Sequence, residues 1–461
     1  MLSPHDITLL LLAAAAIAIV IVLIAKFKLH PFPALMMCSL GLGLAAGESV
    51  AAVLKSVIAG FGDIVANVGI VLAFGAMFGG LLAKSRGADR IASSLITARG
   101  LSFAPWTMAG LAMVLGLPVF FETGLVMMMP IIVAVGAQFE AAAKAGRPVP
   151  KGAPYLIVGL PTIAGLSVLH GLVPPHPGPL IAIAALHADI GETLLLGILI
   201  AIPTVIVSGP LFTLWAARHA DARPPAQLVA EFSRFDPDQR QPGTATTVLT
   251  TLFPIALMMA KAAADLLLPP ANPLRAALEF IGAPIVALLL GTLLAMFTFG
   301  FALGRSRDEV TTIMGDALPP IAAIMLVIGG GGAFKQTLVD LGLGATIAHA
   351  VALAHVTPLL LAWGTAVLIR IAVGSATVAT VTTGGLLAAT VAANPAINPS
   401  LVALAIGAGS LFFSNVNDAG FWLVKGYLGI SLPDMFKTWS LLETIISVMG
   451  LVLVLLAANF V

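Results

Sequence analysis

The sequence predicts an all-α polytopic membrane protein. It is built as an inverted repeat of two halves, each with about five transmembrane helices plus one re-entrant hairpin. Three observations predict this. The 461 residues are 59% hydrophobic and only 9% charged, whereas soluble domains carry about 25% charged residues. Mean hydropathy is +1.08. The order of apolar runs and polar interruptions in residues 1–217 returns in 247–461. The net charge of +1 comes with no basic block, so no nucleic-acid partner is expected; the lipid bilayer is. The single cysteine, Cys38, excludes an intrachain disulfide and a cysteine-based metal site.

Spans are predicted at 7–25, 34–54 and 57–83. Lys26 and Lys28 follow the first apolar run and no basic residue precedes it. It is therefore not read as a cleavable signal, and the N-terminus is expected on the periplasmic side. The run 105–137 would measure roughly 50 Å as a straight helix, against a hydrocarbon core of roughly 30 Å. It is interrupted at Gly116-Leu117-Pro118, with Lys84, Arg86, Arg90 and Arg99 before it and Lys144, Arg147 and Lys151 after it. A hairpin that enters and leaves on the cytoplasmic side keeps both clusters inside. The run 154–187 reads as a broken crossing, because residues 170–179 hold four prolines and two glycines. Broken backbone at membrane depth is tolerated only where protein buries it or where it lines a cavity. A span at 194–217 leads into a polar cytoplasmic linker, 218–246, the natural midpoint.

The second half repeats this order. Spans at 247–268, 276–300 and 310–337 precede a hairpin at 358–393, a broken crossing at 400–430 and a last span at 438–460. Pro358 to Ser375 has the length of Pro105 to Glu122. Five crossings per half, an odd number, invert the second half and place the C-terminus in the periplasm. All but five of the 22 Lys and Arg residues then face the cytoplasm. Lys55, Arg275 and Lys335 face out, Lys335 snorkelling to the outer surface, while Lys261 and Arg370 lie within apolar segments.

The candidate functional residues sit at the interruptions. Glu122, at the first hairpin tip, is ionisable at membrane depth and is a candidate proton carrier. In the second tip, small and hydroxyl residues open a helix after Gly374, whose unpaired N–H groups favour an anion. Ser375 and Thr377 add hydroxyl donors there. Arg370 either neutralises a bound carboxylate or pairs with Glu122 or Asp418. His170 and His176 flank the first break and suit sugar hydroxyls or a proton path. Six residues apart, they form no metal-ligand pair. Asn415 and Asn417 offer amides for polyol recognition, and Asp418 is the second candidate for proton coupling. The run Gly329–Gly332 lacks the Gly-Lys-Ser/Thr ending of a phosphate loop and reads as a packing surface.

Five segments resemble the gluconate permease family of the ion-transporter superfamily: residues 116–122, 170–179, 331–335, 370–379 and 414–422. Thr123 and Asn415 stand where that family commonly has Val and His, which makes both candidates for substrate preference. The resemblance implies proton-coupled import of a sugar acid such as gluconate across the bacterial inner membrane. It also implies two hairpin tips clasping the substrate, an elevator-type motion and a homodimer. No cofactor is expected; the coupling ion is H+, with Na+ compatible with the same residue types. The alternatives are a symporter for another small hydroxy-monocarboxylate or D-serine, and an organic-anion channel. An intramembrane enzyme finds no nucleophile–base pair or metal motif, and a primary pump no nucleotide-binding domain.

Overall fold

Capping chemistry and glycine set the first helix boundaries. In the computed structural model, which describes residues 3–87, 91, 100–116, 121–147, 149–174, 176–233, 240–344, 346, 357–392 and 397–460, α1 (Pro4–Ala25) opens on a reciprocal cap. Ser3 Oγ accepts the Asp6 N–H at 3.1 Å and Asp6 Oδ2 accepts the Ser3 N–H at 2.9 Å. α2 (Pro31–Ala45) stops ahead of Gly47, which adopts φ 91°. Ser49 then caps α3 (Val50–Ile64), accepting the Ala52 N–H at 3.2 Å. The expected spans 34–54 and 57–83 are therefore divided differently. α2 is about 22 Å long, and α3 continues through a π-helical turn (Val65–Gly69) into α4 (Ile70–Lys84). Leu117, Pro118, Pro175, Arg90 and Arg99, on which parts of the sequence expectation rest, and residues 234–239 of the linker lie outside the described residues.

α5 (Ala104–Gly116) and α6 (Phe121–Lys144) both pack on α7 (Pro154–Leu172). α5 runs with α7: Ala112 lies against Gly165, and Gly116 against Leu166 and Leu169. α6 runs against it: Gly124 meets Leu166, Ile132 meets Gly159, and Gly136 meets Tyr155. The chain therefore reverses direction between α5 and α6. α8 (Pro177–Leu186) follows the proline-rich break. α9 (Ile190–Ile206), a π-helical turn (Val207–Leu211) and α10 (Phe212–His219) form one rod. The polar linker contains a short helix, α11 (Ala226–Ser233), and an isolated bridge from Ala222 to Ile430.

The second half contains α12 (Thr244–Leu267), α13 (Pro273–Ile281), α14 (Pro284–Ala295), α15 (Arg307–Asp316) and α16 (Pro319–Asp340). α17 (Pro358–Val373) and α18 (Ala376–Ala392) are separated only by Gly374, at φ 76°, and Ser375. α19 (Pro399–Ser410) and α20 (Ala419–Leu428) flank the second break. A short α21 (Leu432–Met435), a π-helical turn (Phe436–Ser440) and α22 (Leu441–Ala457) close the chain. Pairings recur between the halves: α5 packs on α7 as α17 packs on α19, and α4 on α14 as α16 on α2.

The core is centred on α7 and α19, which are buried almost throughout. They cross where Gly171 meets Gly407: a Cβ on Gly407 would lie 2.0 Å from the Gly171 carbonyl oxygen. Small residues allow such backbone approach where lipid supplies no hydrophobic drive between helices. Gly329–Gly332 serves the same end. A Cβ on Gly332 would lie 2.6 Å from the Gly60 oxygen, and Gly331 lies beside the Trp422 ring. Among the described residues, seven helical stretches are long and apolar enough to cross a membrane, and other apolar helices have only 10–17 residues. Several of the short ones flank the breaks, as in α5, α17, α18 and α19.

Candidate substrate cavity

The second break is held open by side chains that take up its freed backbone groups. Trp422 Nε1 donates to the Val416 carbonyl at 2.8 Å, and Ser440 Oγ to the Ser414 carbonyl at 2.5 Å. Trp439 Nε1 donates to Ser414 Oγ at 2.7 Å. Trp439 and Ser440 belong to the π-helical turn, a feature frequent at functional sites because it re-aims side chains. Asn417 donates to the carbonyls of Ile371 at 2.9 Å and Ala372 at 3.1 Å, clamping the end of α17. Gly374 is required there: a Cβ would lie 2.3 Å from the Asn417 oxygen.

Arg370 and Asp418 join the hairpin tip to the break. Arg370 Nη2 donates to Asp418 Oδ2 at 2.5 Å and Nη1 to the Gly374 carbonyl at 2.7 Å. Asp418 caps α20, accepting the Gly420 N–H on Oδ1 at 2.9 Å, and its Oδ2 also accepts from Ser414 Oγ. The pair is nearly sealed, with side chains 4% and 14% exposed, so each charge depends on the other. The alternatives left open for Arg370 are thus narrowed: it pairs with Asp418. Ser375 opens α18 and accepts the Val378 N–H at 3.3 Å, leaving its tip polar.

Glu122, His170, Arg370, Ser375, Thr377 and Asp418 line one cavity of about 370 Å³. That volume falls within the range of small-molecule sites, about 300–1,000 Å³. The wall draws on both halves of the chain. Glu122 projects from the first turn of α6 and has no ion-pair partner among the described residues. His170 Nδ1 is buried without a hydrogen-bond partner among the described residues. Thr123, His176, Asn415 and Asn417 are buried beside the cavity, not on its wall. His176 packs edge-on to His170, ring centres 5.8 Å apart, and Asn415 donates to the Phe413 carbonyl at 3.3 Å.

Five further residues with polar side chains on the wall are absent from the expected set: Asp63, Ser167, Lys335, Trp439 and Glu443. Lys335, expected at the outer surface, instead turns into the cavity from α16. Glu443 carried a legible signal, an acidic residue inside the apolar run 438–460. Its partner Ser167, whose Oγ donates to Glu443 Oε1 at 2.5 Å, had none, because the two are 276 residues apart. No group of three or more His, Cys, Asp or Glu residues able to hold a metal occurs among the described residues.

A polytopic helical protein in which the first turn of α6, the end of α7, the turn between α17 and α18 and the second break meet at one charged cavity of small-molecule size has the build of a membrane permease. Family relationships agree. The chain matches the profile described as GntP family permease over residues 7–461 and belongs to that family. It is 44% identical over 452 residues, 98% of both chains, to a protein of Pseudomonas aeruginosa named gluconate permease. Two Escherichia coli proteins, named high-affinity gluconate transporter and Gnt-II system L-idonate transporter, are each 40% identical, with 93% of this chain and 94% of theirs aligned. The chain is a permease, not an enzyme.

Proposed function

We propose that this chain is a secondary active transporter that imports gluconate, or a closely related sugar acid, with protons across the bacterial inner membrane. The observation that carries the reading is the cavity wall: Lys335 offers a cation and the Ser375 tip a hydroxyl donor to a carboxylate, within a family of permeases. Hydroxyls of a sugar chain would meet His170, Ser167 and Thr377. Relatives named for gluconate and for L-idonate support a sugar acid over D-serine. Asp418 already holds Arg370, which favours Glu122 as a carrier of the coupled proton. The recurring pairings of α5 on α7 and α17 on α19 support an inverted repeat with two re-entrant hairpins. Elevator movement, a homodimer and periplasmic termini belong to the same reading.

The test is uptake of radiolabelled gluconate into proteoliposomes, with a competition panel of sugar acids and D-serine, with and without a proton ionophore. Accumulation driven by a pH gradient and abolished by the ionophore is expected. No uptake above empty liposomes would refute the substrate. Uptake indifferent to the ionophore would refute proton coupling and favour a channel. Glu122→Gln is expected to lose the response to the gradient.

A further inference from the structure

Glu443 is the most enclosed carboxylate on the cavity wall. It is 1% exposed, and Ser167 is its only hydrogen-bond partner among the described residues. No cation lies within ion-pair distance of it there. Arg370 has both Nη atoms committed, to Asp418 and to the Gly374 carbonyl. The charges on this wall are unbalanced. Among the described residues of the wall, Glu122, Asp418 and Glu443 stand against the cations Lys335 and Arg370. With these three carboxylates ionised, negative charge outnumbers positive before any anion arrives, and like charges at close quarters disfavour one another. Glu122 and Glu443 are the two without an ion-pair partner among the described residues.

We propose that Glu443, held by Ser167, is a second proton-carrying carboxylate of the transport cycle, and that an anionic substrate occupies the cavity only while Glu443 is neutral. This rests on the proton-coupled reading above. On the outward side an O–H bond forms between a proton from water and a Glu443 carboxylate oxygen. The Ser167 hydroxyl continues to donate to Oε1. After the anion leaves on the inward side, that O–H bond breaks and the proton passes to water. Nothing is oxidised or reduced.

The surroundings of Glu443 are sparse in competing charge. α7 presents His170 beside Ser167, and α17 and the second break present Arg370 and Asp418. α19 carries no ionisable residue. On α9, Glu192 is occupied at the far end, accepting from Asn398 at 2.9 Å and Ser400 at 2.7 Å, and Asp189 caps that same end. The turn Val207–Leu211 has no ionisable side chain. In the preceding π-helical turn, Lys437 is ion-paired to Asp434 at 3.1 Å and half exposed. One helical turn before Glu443, Trp439 and Ser440 bond Ser414, which itself donates to Asp418. A change of charge at Glu443 thus acts on the elements that hold the Arg370–Asp418 pair.

The test is the proton-to-gluconate ratio of the full chain in proteoliposomes, read from the reversal potential. Glu443→Gln is expected to lower the ratio by one proton per gluconate, with Glu443→Asp restoring the wild-type value. Ser167→Ala is expected to keep the ratio but shift the pH of half-maximal uptake. A wild-type ratio in Glu443→Gln overturns the proposal. Where that variant transports too slowly or folds poorly, the gluconate-induced infrared difference spectrum decides. A carboxylic-acid C=O band should be present in wild type and shifted in Ser167→Ala. A band unchanged by loss of the serine hydroxyl overturns the proposal. The wild-type arm separates the two readings. No gluconate uptake by wild type defeats the substrate assignment, whereas proton-coupled wild-type uptake with an unchanged variant ratio defeats Glu443 alone.

Discussion

Replacing Asp418 by Asn tests whether the hairpin tip and the second break are one electrostatic unit. The substitution keeps size and the cap on α20, but leaves the Arg370 guanidinium, 4% exposed, without its counter-charge. Two unit charges about 4 Å apart attract by about 4 kcal/mol at an effective dielectric of about 20. Breaking a buried pair from one side typically costs about 3–5 kcal/mol. The slight exposure of Asp418 and the surviving bond from Arg370 to the Gly374 carbonyl place the expected loss at about 3 kcal/mol. Arg370→Gln should cost a similar amount. The double variant should cost less than the sum of the singles, because it removes both unpaired charges, with a coupling energy of about 1–3 kcal/mol. Reversible unfolding in mixed detergent micelles measures all three, and gluconate uptake follows in parallel. Strict additivity, with coupling below about 0.5 kcal/mol, would refute the view that this pair ties α17 to α20.

Three further outcomes follow from the packing and the caps. Gly407→Ala puts a Cβ 2.0 Å from backbone, and should cost about 1–3 kcal/mol or more in unfolding. Gly171→Ala first meets the movable Leu411 side chain at 2.5 Å and should cost less; the reverse order would contradict the crossing. Asn417→Ala frees the carbonyls of Ile371 and Ala372 and should lose about 1–3 kcal/mol, together with gluconate affinity, by thermal unfolding and binding. Outside the membrane, Ser306 caps α15, and its backbone N–H and hydroxyl hold the exposed Glu309 carboxyl below its usual value of 4.5. That contribution is present above pH 4.5 and fades as pH falls through the lower folded value. Protection of the amides in the first turn of α15, taken as the exchange rate relative to the intrinsic rate at the same pH, should therefore fall on acidification, and Glu309→Gln should remove that pH dependence; an identical pH response of the protection in the variant would refute it.

What could be read from the chain was whatever a local rule controls. Proline density marked the break after Leu172, and Gly374 marked the turn between α17 and α18, because both act on backbone angles directly. Glu122, Arg370 and Asp418 stood out because charge is costly in an apolar run. Asn415 and Asn417 looked like substrate amides, yet Asn417 is spent on the carbonyls of α17, a partnership that only the tertiary fold creates. Lys335 misled for a similar reason. Its position after an apolar run suggests a lipid interface, while the facing of α16 turns it inward. The helix end at Ala45 was missed because Gly47 is one glycine among 46, most of which impose no turn.

The contact between Gly171 and Gly407 has a genetic consequence. Every missense change at a glycine codon adds at least a Cβ. At Gly407 that atom meets a carbonyl oxygen, which cannot rotate aside as a side chain can. A lineage therefore cannot relax this contact by a single conservative step at residue 407. Divergence there must wait for a prior change elsewhere that moves the two backbones apart, so the crossing should be among the slowest parts of the chain to drift, although neither glycine lies on the cavity wall.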